Sequence, residues 1–129
     1  MNTTRILRRS ILFLTIVYWS LIVTLTHMPH PPRVGPPMSD KLQHFIGYGI
    51  LTSLVYLSMW SIRPDFRRTW FWAPTIVLFY GALDEWTQPL TGRTCDIHDW
   101  LADFAGAAVA VIVLLALWRW LIASRLQTR

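Results

Sequence analysis

Four runs of predominantly apolar residues, at about 11–27, 43–62, 70–88 and 99–118, occupy most of this chain and leave only short polar connections between them. Each approaches the roughly 20 residues that a helix needs to cross a bilayer. Within hydrocarbon the backbone has no water to bond to, so a segment that crosses alone must be helical. Charged residues make up only 15% of the 129 positions, against about a quarter in soluble domains. Too few charges remain to clothe a water-exposed surface. The chain therefore reads as an all-α membrane protein: one membrane domain over residues 1–129, built as a bundle of four transmembrane helices with the lipid bilayer as its first partner.

The connections are legible too. Arg5, Arg8 and Arg9 precede the first run, in the manner of a signal peptide. The run ends at His27–Met28–Pro29–His30 with no small-x-small cleavage pattern, so a retained first span is expected. Pro29, Pro31, Pro32, Pro36 and Pro37 then predict a stiff, extended spacer. Ser39 or Asp40 is placed to cap the second helix, and Arg63–Pro64 to stop it. Asp65, Arg67 and Arg68 are expected as a charged turn, Pro74 as a tolerated proline early in the third span, Pro89 as its end, and Asp99 as the N-cap of the fourth.

Short connections make successive helices antiparallel, which divides the charges between two sides. One side carries Arg5, Arg8, Arg9, Arg63, Arg67, Arg68, Arg119, Arg125 and Arg129 with Asp65; the other carries Arg33, Lys41 and Arg93 with Asp40, Asp84, Glu85, Asp96, Asp99 and Asp103. The positive-inside rule puts the arginine-rich side, and hence both termini, in the cytoplasm. The net charge of +5 is thus a topology signal rather than a nucleic-acid footprint, and no nucleic-acid partner is expected. Acids contribute little to topology, so their gathering on the other side, together with His27, His30, His44 and His98, needs another cause.

The sharpest case is Tyr80–Gly81–Ala82–Leu83–Asp84–Glu85–Trp86–Thr87–Gln88, which ends the third run with two adjacent carboxylates and an amide. A carboxylate inside a span is costly unless paired or hydrated, and so points to a functional site. At helical spacing Tyr80, Asp84 and Gln88 share a face, and Glu85 meets Gln88. On the second helix His44, Tyr48 and Thr52 share a face. On the fourth, Asp99, Asp103 and Ala107 do, beside a small-residue stripe of Ala102, Gly106 and Ala110 that lets helices approach closely. Bundled, these faces would enclose a polar pocket open at one end, with Lys41 and Arg93 above it to neutralise part of its charge. Glu85 or Asp84 with His44 could carry acid–base chemistry. Asp40, Lys41, Tyr48, Gln88, Arg93, Asp99 and Asp103 are the candidate ligand-binding residues. The alternative is a cluster of ion pairs that pins loops to the bundle. No HExxH or comparable spacing is present, so neither a metal nor another cofactor is expected. Cys95, the one cysteine, excludes an intramolecular disulfide.

Three segments together resemble a known family. Asp40–Lys41–Leu42–Gln43–His44–Phe45–Ile46–Gly47–Tyr48 is similar to the "DKxxHfxxY" opening of VanZ-like membrane proteins. Asp84–Glu85–Trp86–Thr87–Gln88 resembles their "dExxQ" segment, and Gly92–Arg93 with Asp99–Trp100–Leu101–Ala102–Asp103–Phe104–Ala105–Gly106 their "GR…DxxaNxxG" close. The likeness covers about residues 39–111. It implies Asp40, Lys41, His44, Tyr48, Glu85, Gln88, Arg93, Asp99 and Gly106 as signature residues, with Asp103 where the pattern usually has asparagine. It also implies a multi-pass protein of the bacterial cytoplasmic (inner) membrane that serves the cell envelope. The family is named for a protein associated with resistance to teicoplanin, a lipoglycopeptide. Three functions follow as expectations: binding of a lipid-linked envelope component or such an antibiotic, hydrolysis or transfer on a lipid-linked substrate, or a structural role in a larger membrane complex.

Overall fold

The computed structural model describes residues 3–29 and 39–127; the proline spacer beyond Pro29, with His30 and Arg33, and Arg129 lie outside them. Four helices and one short 3₁₀ turn make up the described chain: α1 (Thr3–Thr26), α2 (Asp40–Ile62), α3 (Phe66–Thr87), the turn Gln88–Thr91, and α4 (Ile97–Gln127). Three of them, α1, α2 and α4, are long and apolar enough to cross a membrane. α3 is not among these. Its 22 residues would extend about 33 Å at about 1.5 Å per residue, but Arg67 and Arg68 at one end and Asp84 and Glu85 at the other bracket its apolar stretch.

Several helix boundaries differ from those read in the sequence, for local reasons. Asp65 accepts from Arg68 N and caps α3, so Arg67 and Arg68 lie in its first turn rather than in a loop. Ser39 caps α2 by accepting from Leu42 N. α4 begins at Ile97, two residues before Asp99, because Asp96 accepts from the His98 N–H and its carbonyl takes the Asp99 N–H. Asp99 is therefore not the N-cap, and its carboxylate is released for other bonds. Pro89 ends α3 as expected, turning it into the 3₁₀ segment that closes at Gly92, whose φ of 81° suits glycine.

α2 sits at the centre and packs most extensively against α4. The small-residue stripe explains the approach: a Cβ on Gly106 would collide with the Phe45 carbonyl, and one on Gly49 would stand 3.2 Å from the Gly106 oxygen. Apolar contacts among Tyr48, Leu51, Val55, Tyr56, Ala73 and Val77 form the main core, joined by Ile22 of α1. Around it the polarity is inverted relative to a water-soluble protein. Thr15, Ser58, Thr52, Thr69 and Gln88 are buried, while Phe13, Phe79 and Ile112 lie outside and exposed. That distribution suits a bundle surrounded by hydrocarbon, where interior polar groups must bond to one another. Thr15 does so, pairing with Ser58 at 2.7 Å across α1 and α2.

Candidate functional site

The ends of α1 and α3 and the beginnings of α2 and α4 meet at one end of the bundle, and there every candidate residue from the sequence is found. Two shells can be distinguished. The rim contains Asp40, Asp96 and Asp99 with the two basic residues. Lys41 Nζ bridges Asp96 Oδ2 and Asp99 Oδ1, both at 2.9 Å, and Arg93 reaches Asp40 Oδ2 at 3.1 Å. Lys41 beside it, followed by His98, holds the Asp96 carboxyl well below the usual carboxylate range. Of the two cations above the pocket, Lys41 thus pairs with Asp96 and Asp99, and Arg93 pairs with Asp40.

Beneath the rim lies an inner cluster in which Asp84, Glu85 and Asp103 are 1%, 4% and 0% exposed. His44 Nδ1 lies 2.9 Å from Asp103 Oδ1 and 4.0 Å from Glu85 Oε1. Its ring stacks on Tyr48, which in turn stacks on Tyr80. Tyr80 donates to Asp84 Oδ1 at 2.9 Å. Gln88 gives its Nε2 to Glu85 Oε1 at 2.9 Å and, more weakly, to Asp84 Oδ2 at 3.4 Å. The Asp96 amide closes onto Glu85 Oε2 at 3.0 Å, tying the rim to the interior. Helix spacing places these groups as read from the sequence: Tyr80, Asp84 and Gln88 on one face, and Glu85 meeting Gln88 three positions on.

α1 contributes two residues that the sequence reading had left outside the site. Thr26 donates to Asp84 Oδ1 at 2.9 Å, and His27 meets Thr87 Oγ1 at 2.9 Å with its other ring nitrogen 3.5 Å from Asp84. Gly81 also has a part. A Cβ there would come within 3.0 Å of Asp103 Oδ2 and 3.1 Å of the Tyr48 ring, so glycine keeps the floor of the cluster open.

Two properties of the cluster bear on chemistry. Asp103 Oδ2, Gln88 Oε1 and the Tyr48 hydroxyl are buried with no hydrogen-bond partner among the described residues. Buried polar groups are normally satisfied, so three orphans in one cluster call for an explanation. Secondly, Glu85 belongs to two environments at once. It is bonded into the cluster, and it is also the one carboxylate lining a largely apolar cleft of about 330 Å³ between α3 and α4, with Ala82, Trp86, Cys95, Ile97 and Trp100. Trp86, 76% exposed, forms its outer lip.

Residues 3–119 match the VanZ/LLP1 family. An uncharacterized protein of Schizosaccharomyces pombe is 28% identical over 109 residues, which are 83% of this chain and 64% of that protein. The chain thus spans less than two thirds of the length of this relative. A eukaryotic relative also shows that likeness to this chain is not confined to bacteria. No solved structure matches. With the family matched over nearly its whole length, and with the quoted Asp40–Tyr48, Asp84–Gln88 and Gly92–Gly106 segments brought to one end of one bundle, the chain is a member of the VanZ/LLP1 family.

Proposed function

We propose that this is a four-span membrane protein, one membrane domain with both termini in the cytoplasm, whose inner cluster binds the polar head of an amphipathic envelope molecule. The observation that carries this is the double membership of Glu85. An apolar cleft of about 330 Å³ falls within the ordinary range of small-ligand sites, and its one carboxylate leads into a buried polar cluster. A ligand with an acyl chain and a hydroxyl- or amine-bearing head matches both parts: the chain lies against Trp86, Ile97 and Trp100 while the head donates to Glu85. A lipid-linked envelope component has that form, and so does a lipoglycopeptide such as teicoplanin, which is where a role in resistance would enter. The arginine-rich side of the sequence supports an outward-facing site, and the bilayer is the route of entry.

The test is thermal stability of the detergent-purified chain with extracted polar envelope lipids or with teicoplanin, compared between wild type, Glu85→Gln and Trp86→Ala. Stabilisation of the wild type by one ligand, weakened in both variants, supports the proposal. If no ligand shifts the wild type and both variants are merely less stable, the cluster is structural and the proposal fails.

A second reading, a hydrolase or transferase acting on a lipid-linked substrate, has its own observation in the His44–Asp103 pair. A carboxylate 2.9 Å from one ring nitrogen fixes the tautomer and orientation of an imidazole, leaving its other nitrogen to act on a water or hydroxyl. Glu85 or Asp84 would share the proton work, and Arg93 at the rim would meet an anionic group. Turnover of a lipid-linked substrate that His44→Gln abolishes, without loss of ligand-dependent stabilisation, would favour this reading over simple binding.

A further inference from the structure

We propose that His44, Glu85 and Asp103 form a binding site for a divalent transition-metal cation of the zinc and manganese class. The first reason is geometric. Each residue comes from a different helix and offers one ligand atom, and the three atoms lie within 4.8 Å of one another. Metal–ligand bonds of about 2.0–2.2 Å place neighbouring ligand atoms roughly 3–3.5 Å apart. The His44 Nδ1 distances of 2.9 Å to Asp103 and 4.0 Å to Glu85 bracket that value, and all three atoms lie within 4.8 Å, so closing the set takes side-chain adjustments on the order of an ångström rather than a backbone shift.

The second reason is charge. Among the described residues the inner acids have no lysine or arginine within ion-pair distance; their only ionisable partners of opposite sign are His44 and His27. Buried carboxylates in hydrocarbon surroundings are costly unless matched by positive charge. The third is the orphaned polar atoms. Asp103 Oδ2 is fully buried with no partner, and so is Oε1 of Gln88, the residue whose Nε2 orients Glu85. A cation among these oxygens would use lone pairs that no protein donor reaches.

A competing trio, Asp40, His44 and Asp99, is also close enough to share an ion. It is the weaker choice because Arg93 already neutralises Asp40 and Lys41 already bridges Asp99. One imidazole with two carboxylates suits zinc, manganese or iron(II) better than magnesium or calcium, which prefer all-oxygen shells. Gln88 Nε2 and the Asp96 amide each donate to one Glu85 oxygen and fix the orientation of the carboxylate, as supporting hydrogen bonds do for the ligands of metal sites. On binding, the proton shared between His44 Nδ1 and Asp103 leaves to solvent and the ion takes its place.

This inference does not depend on the amphipathic-ligand proposal, and its test uses metal alone. The full chain, purified in detergent and stripped with EDTA, is titrated with Zn²⁺, Mn²⁺ or Mg²⁺ while melting temperature and bound metal are measured. The expected result is one equivalent of Zn²⁺ or Mn²⁺, a melting temperature raised by several degrees, and little response to Mg²⁺. Asp103→Asn should remove the bound equivalent and the shift, whereas Asp40→Asn should keep both. No shift and no stoichiometric metal on the wild type overturns the proposal, a result that needs no variant to fold. Loss of metal with Asp40→Asn but not with Asp103→Asn would move the ion to the rim and overturn it equally.

Discussion

The rim and the inner cluster each contain three acids, but they are answered differently. At the rim, Asp40 has Arg93, and Asp96 and Asp99 share Lys41. In the interior, Asp84, Glu85 and Asp103 are met by histidines, tyrosine, threonine and an amide. Each rim ion pair has one half-exposed member, which moderates its contribution to stability, yet the pairs fix the loop before α4 onto α2, and each of these acids has a cation beside it. The interior retains three polar atoms without partners and an excess of carboxylate over positive charge. A cluster that served only to hold helices together would be satisfied, as the Thr15–Ser58 pair deeper in the bundle is. The difference separates a closed structural tie from the cluster we propose as a binding site.

Breaking the inner pair should have the largest effect. His44→Ala leaves Asp103 buried without its charge partner and should cost about 3–5 kcal/mol of stability. Adding Asp103→Asn to that variant should recover most of the loss, which chemical or thermal unfolding of both would show. Next comes the scaffold common to both shells. Gly106→Ala puts a methyl into the Phe45 carbonyl, and such overpacking should cost about 3 kcal/mol, with the rim and inner contacts between α2 and α4 lost together. Gly49→Ala, facing a 3.2 Å contact, should be milder. At the rim, Lys41→Ala should cost about 1–3 kcal/mol, because the Lys41 side chain is half exposed but the Asp99 carboxylate it leaves is buried; an effect as large as that of His44→Ala would erase the distinction between the shells.

The smallest effect is one of pH. Asp96 binds its proton less readily in the folded protein than in the unfolded chain, because Lys41 and His98 favour its ionised form. The unfolded state therefore takes up more protons as pH falls, and the stability due to this group is present above its ordinary value of 3.8 and lost below it. Melting curves of wild type and Asp96→Asn should differ near neutrality and converge in acid.

Much of this arrangement was legible from spacing alone. Four-residue intervals gave the faces of His44 and Tyr48 on α2 and of Tyr80, Asp84 and Gln88 on α3, since helical geometry is local. The stripe through Gly106 announced a close helix contact for the same reason. What spacing did not reveal is which residue meets which across helices. Thr26 and His27 already find carbonyls within their own helix, at Ile22 and Val23, so nothing in the sequence marked them as partners of Asp84 nearly sixty positions away. Asp99 was read as a cap because an acid at the start of an apolar run often is one. The cap fell instead to Asp96, and those two positions freed Asp99 for Lys41. Arg93 had several acids within reach, and only the path of the 3₁₀ turn decided for Asp40.

The most direct test compares one acid from each shell in the purified protein, with chelator present and no ligand added. Asp103→Asn retains the oxygen that faces His44 and replaces the unpartnered buried one with an amide; Asp99→Asn removes the negative charge that Lys41 pairs with. The account predicts opposite signs: Asp103→Asn raises the melting temperature, because it removes one of three buried carboxylates that only His44 and His27 face while leaving an oxygen for His44, and Asp99→Asn lowers it. If Asp103→Asn lowers the melting temperature as much as Asp99→Asn does, the inner acids are structural ties like those of the rim, and the cluster is not a binding site.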